Sequence, residues 1–293
     1  MHFLLLAALL LHISAHAPAH APAHALAQSG AQTRAATQRL HEDSVQSAAL
    51  GRAMKYRVLL PADYETSQQR YPVLYLLHGL GGDYKDWTTR SNIAEYSRTL
   101  PLIIVMPDGG NSWYTNALNT PADRFEDYIL TDLQADVVRK YRTINSRYGR
   151  TIAGLSMGGY GALKMALKRP GAFAVAASFS GAFSATRQAE MVKLIRSEDE
   201  PLRRIFGDDE SPVRRENDLY TLAAAAKPGS VPYIYIDCGI ADFLLSANRE
   251  VVAALHKSGV AYEYHEVAGG HSWDYWDRQI RDFLPVLTKK ISN

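Results

Sequence analysis

Short runs rich in apolar, β-branched and aromatic residues alternate along the chain with longer stretches in which apolar residues recur at helical spacing. The runs predict strands over residues 45–50, 54–60, 73–77, 102–106, 151–153, 174–179, 233–238 and 262–267. The periodicity predicts helices over 125–141, 160–168, 246–258 and 275–287. Strands and helices taking turns in this way predict an α/β fold, with a mostly parallel eight-stranded sheet flanked by helices. A turn around Gly51 joins the first two strands into an expected antiparallel pair, and the later ones are spaced for parallel crossovers. Segment 183–227 is longer and more charged than a crossover requires, and is expected to form a short cap over a site between the sixth and seventh strands.

The N-terminal pattern is of another kind. An apolar run from Phe3 to Leu11 is followed by small residues and by Ala25-Leu26-Ala27, which suits signal-peptidase cleavage before Gln28. The expected organisation is therefore a signal peptide over 1–27, a polar leader over 28–43 and one domain over 44–290, exported to the periplasm or the outside. The apolar run is far shorter than the roughly 20 residues that span a bilayer, so no stable membrane anchor is expected. Two features depart from the usual leader: no Lys or Arg precedes the apolar run, and a His-Ala-Pro-Ala repeat carries His16, His20 and His24. Pro18 and Pro22 would break any helix presenting those histidines, and no metal site is expected there or elsewhere.

Composition narrows the class of protein. A net charge of +2 across 293 residues gives no sequence-wide reason to expect nucleic acid or an anionic membrane as partner. Arg203-Arg204 and Arg214-Arg215 lie among Glu200, Asp208, Asp209 and Glu216 and are expected to form a solvated helical face. Cys238 is the only cysteine, so no intrachain disulfide exists, and its place at the end of an apolar strand predicts a buried, inert thiol.

The chemistry concentrates in the loops that follow the strands. Gly154-Leu155-Ser156-Met157-Gly158 matches G-x-S-x-G directly between a predicted strand and a predicted helix, the context of a nucleophile elbow. Gly158, Gly159 and Gly161 let that helix approach the strand. A serine hydroxyl is a weak nucleophile at neutral pH and needs a base, and the base needs a group that fixes its tautomer. His271, after the eighth strand, is the expected base. Asp242, in the loop after the seventh, is the expected carboxylate, with Asp237 as the alternative. All three fall at C-terminal strand ends, where open α/β sheets bind ligands. His265, inside a strand pattern, reads as structural, and Ser180 as shaping a loop. Backbone amides of Met157 and of Leu80, in the turn His78-Gly79-Leu80-Gly81-Gly82, are the expected oxyanion donors, with His78 orienting that turn. Trp113, Tyr114, Phe183 and Trp273 are candidate substrate-binding residues, and Tyr275 and Trp276 either join them or pack in the core.

Taken together, His78-Gly79-Leu80-Gly81-Gly82, Pro107-Asp108-Gly109-Gly110, Gly154–Ala162, Cys238-Gly239 with Asp242-Phe243, and Gly270-His271-Ser272-Trp273 resemble one esterase family over roughly residues 45–287. That family holds esterase D (S-formylglutathione hydrolase), tributyrin, feruloyl and acetylxylan esterases, and the mycolyltransferases. The resemblance implies the α/β-hydrolase fold and cofactor-free acyl transfer through an acyl-enzyme, acting on small-molecule or carbohydrate-linked esters. Asp242-Phe243-Leu244 and Trp113-Tyr114 look closest to the tributyrin type. Gly81 and Gly82 stand where formylglutathione hydrolases usually carry cysteine and threonine. An acyltransferase, a serine peptidase and a secreted binding protein without activity remain alternatives, and oligomeric state is not legible.

Overall fold

A computed structural model of the chain describes residues 39–187 and 200–291. The predicted leader segment 1–27 lies outside the described residues. Eight strands form one sheet: β1 (Leu40–Ser47), β2 (Arg52–Leu59), β3 (Val73–Leu77), β4 (Ile103–Pro107), β5 (Arg150–Leu155), β6 (Val175–Phe179), β7 (Tyr233–Gly239) and β8 (Tyr262–Val267). Their order is β1-β2-β4-β3-β5-β6-β7-β8. β2 runs antiparallel to both β1 and β4, and every other neighbouring pair is parallel.

The all-apolar strands lie where both faces are covered. Every residue of β3, β4 and β6 is buried, which explains their predominantly apolar runs, broken in β6 only by Ser178. Alternate side chains of β3 enter opposite layers. Val73, Tyr75 and Leu77 join a core with helix α1 (Met157–Lys168) and helix α2 (Leu245–Lys257). Leu74 and Leu76 join a second core with helix α3 (Trp273–Ile291), through Ile280, Phe283 and Leu287. α1 and α3 extend the spans read from periodicity, and α2 matches its span to within one residue at each end. The fourth, expected over 125–141, is a continuous helical run built of Phe125–Asp127, a π-helical Tyr128–Leu133 and Gln134–Lys140.

The first strand departs from expectation. β1 begins at Leu40, inside the segment read as polar leader, and residues 48–51 form the turn rather than its end. The reason is its place at the sheet edge, where His41, Glu42 and Asp43 pair through backbone groups with Val58, Arg57 and Tyr56 without needing apolar side chains. Arg39 anchors the entry by donating from Nε to the Leu60 carbonyl at 2.6 Å.

Segment 183–227 folds, in its described parts, into a 3₁₀ turn at Phe183–Thr186 and helices at Glu200–Phe206, Pro212–Glu216 and Leu219–Ala225. Arg214 is not solvated as expected. It is buried, and its guanidinium donates to the carbonyls of Thr186, Gly207 and Asp208, clasping the segment together. Cys238 is fully buried, and burial pushes its thiol pKa up, so little nucleophilic thiolate forms there.

Candidate active site

The turn from β5 into α1 holds Ser156 at φ +52°, ψ −117°, a left-handed backbone that costs a non-glycine residue energy. The strain persists because neighbours over-determine it. The Ser156 amide donates to the Phe179 carbonyl at 3.0 Å, and the Ser156 carbonyl accepts from the amides of Ala182 and Tyr160, each at 3.0 Å. The turn can be this tight only because Gly154 and Gly158 lack side chains. A Cβ at Gly158 would stand 2.6 Å from the carbonyl oxygens of Leu77 and His78.

Ser156, His271 and Asp242 arrive from the C-terminal ends of β5, β8 and β7 and meet in one hydrogen-bonded chain. Ser156 Oγ lies 3.0 Å from His271 Nε2, and His271 Nδ1 lies 2.9 Å from Asp242 Oδ2. The carboxylate can only accept from Nδ1–H, which leaves Nε2 as the lone-pair nitrogen facing the hydroxyl. Burial works against charge on Asp242. The hydrogen bond and charge of His271, with the Leu244 amide donating to Asp242 Oδ1 at 2.9 Å, outweigh it and hold the carboxyl below its ordinary pKa. The imidazole is further fixed by the ring of Phe243, 4.7 Å away, and the edge of Trp276, 4.9 Å away.

Asp237 does not reach His271. It is fully buried in β7, accepts a hydrogen bond from the Tyr275 hydroxyl at 2.8 Å, and is driven well above the ordinary carboxyl pKa by burial, with Asp282 and Asp242 adding repulsion. His265 is exposed and bonded to Glu263. Ser180 is buried at φ +49° beneath the site.

Leu80 lines the cleft beside Ser156, Met157 follows Ser156 as the first residue of α1, and neither backbone amide has a hydrogen-bond partner among the described residues. His78 shapes the turn that carries Leu80. Its Nε2 accepts from the Gly109 amide at 2.9 Å and its Nδ1 donates to the Gly79 carbonyl at 2.8 Å, while burial lowers its pKa. Asn111, which sequence reasoning missed, accepts from the Gly81 amide at 2.8 Å and braces the same turn.

A cleft of about 670 Å³ opens over Ser156 and His271. Of the four aromatic candidates, Trp113 and Trp273 line it; Tyr114 and Phe183 do not. Both are fully buried. Tyr114 donates to the His78 carbonyl at 3.1 Å and fills the space that Gly109 and Gly161 leave open, while Phe183 packs against Gly181. Their bulk serves close packing beneath the site. No described residue of 183–227 lines the cleft, so the described part of that segment buttresses the core rather than covering the site. Phe243, Leu244, Trp276, Asp86 and Arg90 complete the walls. Trp276, read as either cleft or core, lines the cleft, whereas Tyr275 does not; Phe243 could have been picked out by its closeness to Asp242 in sequence. Asp86 and Arg90, on a short helix after β3, carry no such signal.

One missed residue lies deeper. Trp113 and Tyr114 both have left-handed backbones, at φ +53° and +50°. Lys164 of α1, fully buried, holds them by donating to the Tyr114 carbonyl at 2.6 Å and Thr115 Oγ1 at 2.8 Å, while its charge is met by Glu126 at 2.9 Å.

An eight-stranded, mostly parallel sheet with a serine on a strained strand-to-helix turn, and histidine and aspartate on the following strand ends, defines an α/β-hydrolase. The model of the "Putative esterase" family matches residues 47–287, and the chain belongs to that family. It is 32% identical over 234 residues to the acetyl esterase of Caldicellulosiruptor saccharolyticus, covering 77% of this chain and 86% of that one. Among solved structures it resembles the fluorophosphonate-binding serine hydrolase FphF of Staphylococcus aureus, with TM-score 0.76, 28% identity, and 85% and 98% of the two chains covered. A ferulic acid esterase is similar to the same degree, with TM-score 0.74, 28% identity, and 86% and 98% covered. The protein is an esterase.

Proposed function

We propose that this esterase cleaves carboxylic esters through a covalent acyl-enzyme, with Ser156 as nucleophile, His271 as general base and Asp242 holding the imidazole in its tautomer. The observation that carries the reading is the unbroken chain from Ser156 Oγ to His271 at 3.0 Å and from His271 to Asp242 at 2.9 Å. Ser156 Oγ attacks the ester carbonyl carbon as His271 Nε2 takes its proton. The oxyanion is received by the amides of Leu80 and Met157, at the N-terminus of α1, whose dipole favours negative charge. Collapse breaks the ester C–O bond, and His271 returns the proton to the departing alcohol oxygen. Water, deprotonated by His271, then attacks the acyl-enzyme and releases the acid.

The substrates are short-chain acyl esters or acylated carbohydrate and feruloyl esters. Support comes from the aromatic walls Trp113 and Trp273 and from the similarity to an acetyl esterase and a ferulic acid esterase. Export is part of the same reading and rests on segment 1–27 of the sequence. The test is hydrolysis of para-nitrophenyl esters from acetate to octanoate, and of methyl ferulate, by the chain from Gln28 and by Ser156→Ala. Turnover by the first and its loss in the second is expected. Equal turnover by both would remove Ser156 from the mechanism.

A further inference from the structure

The exit from β6 runs between the nucleophile and the loop that carries Asp242. The Phe179 carbonyl accepts from the Ser156 amide at 3.0 Å, and the Ala182 amide donates back to the Ser156 carbonyl at 3.0 Å. Between them, the Ser180 amide donates to the Asp237 carbonyl of β7 at 2.8 Å. Asn248 of α2, fully buried, clasps the two loops together, its Nδ2 donating to the carbonyls of Gly181 and Leu244, each at 2.9 Å. Leu244 is the residue whose amide holds Asp242.

The backbone of this exit is accounted for; the side chain of Ser180 is not. At φ +49° Ser180 has a left-handed backbone that a glycine would adopt freely, so a side chain is kept here against strain. Its hydroxyl is sealed from solvent and has no well-aligned hydrogen-bond partner. Two groups lie within its reach. Burial raises the pKa of the Cys238 thiol and works against charge on Asp242, and the Ser180 hydroxyl opposes burial at both. A thiol is a weak partner, whereas an ionised carboxylate offers about four acceptor positions and strengthens any hydrogen bond that it receives. The Asp242 side chain is shut off from water and receives two well-aligned donors, the His271 imidazole and the Leu244 amide. It has acceptor positions to spare.

We propose that Ser180 is a positioning residue for the reaction, its hydroxyl turning to Asp242 as a third donor and keeping the carboxylate aimed at His271 while the imidazolium forms. The role rests on the serine mechanism proposed above. As Ser156 gives up its proton, positive charge appears on His271 and the buried carboxylate must already face it; each fixed donor removes a way for it to turn aside. Ser180 is not a wall of the cleft, so it acts on turnover and not on substrate capture.

The experiment measures para-nitrophenyl acetate hydrolysis and melting temperature for wild type, Ser180→Gly, Ser180→Ala, Asp242→Asn and the double variant Ser180→Gly with Asp242→Asn. Glycine relieves the backbone and alanine does not, yet both are expected to lower kcat by about ten- to a hundredfold while KM stays within about twofold. Ser180→Gly should melt within about 4 °C of wild type. In the Asp242→Asn background the glycine substitution should cost less than about twofold, because the group it acts through is gone. Unchanged kcat in both single variants, a loss with alanine that glycine lacks, a loss confined to a variant that melts far lower, or an equal loss with and without the Asp242 carboxylate would each overturn the assignment. Failure of the underlying mechanism reads differently, as hydrolysis that survives Ser156→Ala or a wild-type kcat in Asp242→Asn.

Discussion

Two buried aspartates five positions apart, one in β7 and one in the loop that follows it, are pushed in opposite directions. The hydrogen bond and charge of His271, with the Leu244 amide, hold Asp242 below the ordinary carboxyl pKa; burial drives Asp237, which accepts from the Tyr275 hydroxyl, well above it. Replacing Asp242 by Asn leaves its one acceptor oxygen to the Leu244 amide and turns an NH2 donor towards His271 Nδ1, which reverses the tautomer, and is expected to lower kcat by about 10⁴. Asp237→Asn preserves a neutral acceptor for Tyr275 and is expected to change kcat by less than about tenfold. Steady-state kinetics of the two variants check the order, and the reverse order would reassign the carboxylate. Asp237 also carries a pH signature. Its folded pKa lies far above the unfolded value near 3.8, so from about pH 4 upward the unfolded chain releases a proton that the folded chain keeps. Wild-type stability therefore loses ground with rising pH relative to Asp237→Asn, which has no such proton. Melting temperatures of both proteins at pH 4.5 and 8 should show the variant gaining on wild type; a constant offset would mean that Asp237 is not protonated in the fold.

At the scale of elements, the loop bearing Trp113 depends on a salt bridge inside the molecule. Burial opposes charge on Glu126, yet Lys164 and Lys168 prevail and bring its pKa down to about 2. That linkage stabilises the fold above the unfolded carboxyl pKa of 4.5 and is lost as pH falls towards 2. Glu126→Gln leaves the buried ammonium of Lys164 without its counter-ion and is expected to lower unfolding free energy by about 3–5 kcal/mol, read from denaturant midpoints. Glu126→Leu combined with Lys164→Met, which removes both charges, should lose less than the sum of the single substitutions; additive losses would deny the coupling. Neither residue stood out in the sequence. A lysine on a helical face reads as solvated, and only the packing of α1 against the 109–116 loop turns it inward. The first half of β1 escaped for a complementary reason. Edge strands are held by backbone pairing, which leaves little hydrophobic trace in residues 40–44.

For the whole molecule, the boundary of the domain becomes a measurable quantity. A chain begun at Arg39 keeps β1 and the Arg39 anchor, whereas one begun at Val45 loses the strand half that pairs with Tyr56, Arg57, Val58 and Leu59. The shorter chain is expected to melt several degrees lower, by about 4 °C or more, and to aggregate on heating because β2 becomes an open edge. Equal melting temperatures would restore the boundary near residue 44.

Sequence alone determined the α/β class, the strands of the sheet interior, and the serine and histidine that the fold draws together, and narrowed the aspartate to Asp242 or Asp237. Those features are written locally: buried parallel strands need unbroken apolar runs, and a tight strand-to-helix turn needs glycines around its serine. Only the tertiary structure decided between Asp242 and Asp237, sent Tyr114 and Phe183 into the core while leaving Trp113 and Trp273 on the cleft, and brought Arg90 beside Trp273. These outcomes depend on which side of an element faces its neighbour. That is settled by packing between segments from about 30 to more than 180 residues apart, and no local pattern of residue types encodes it.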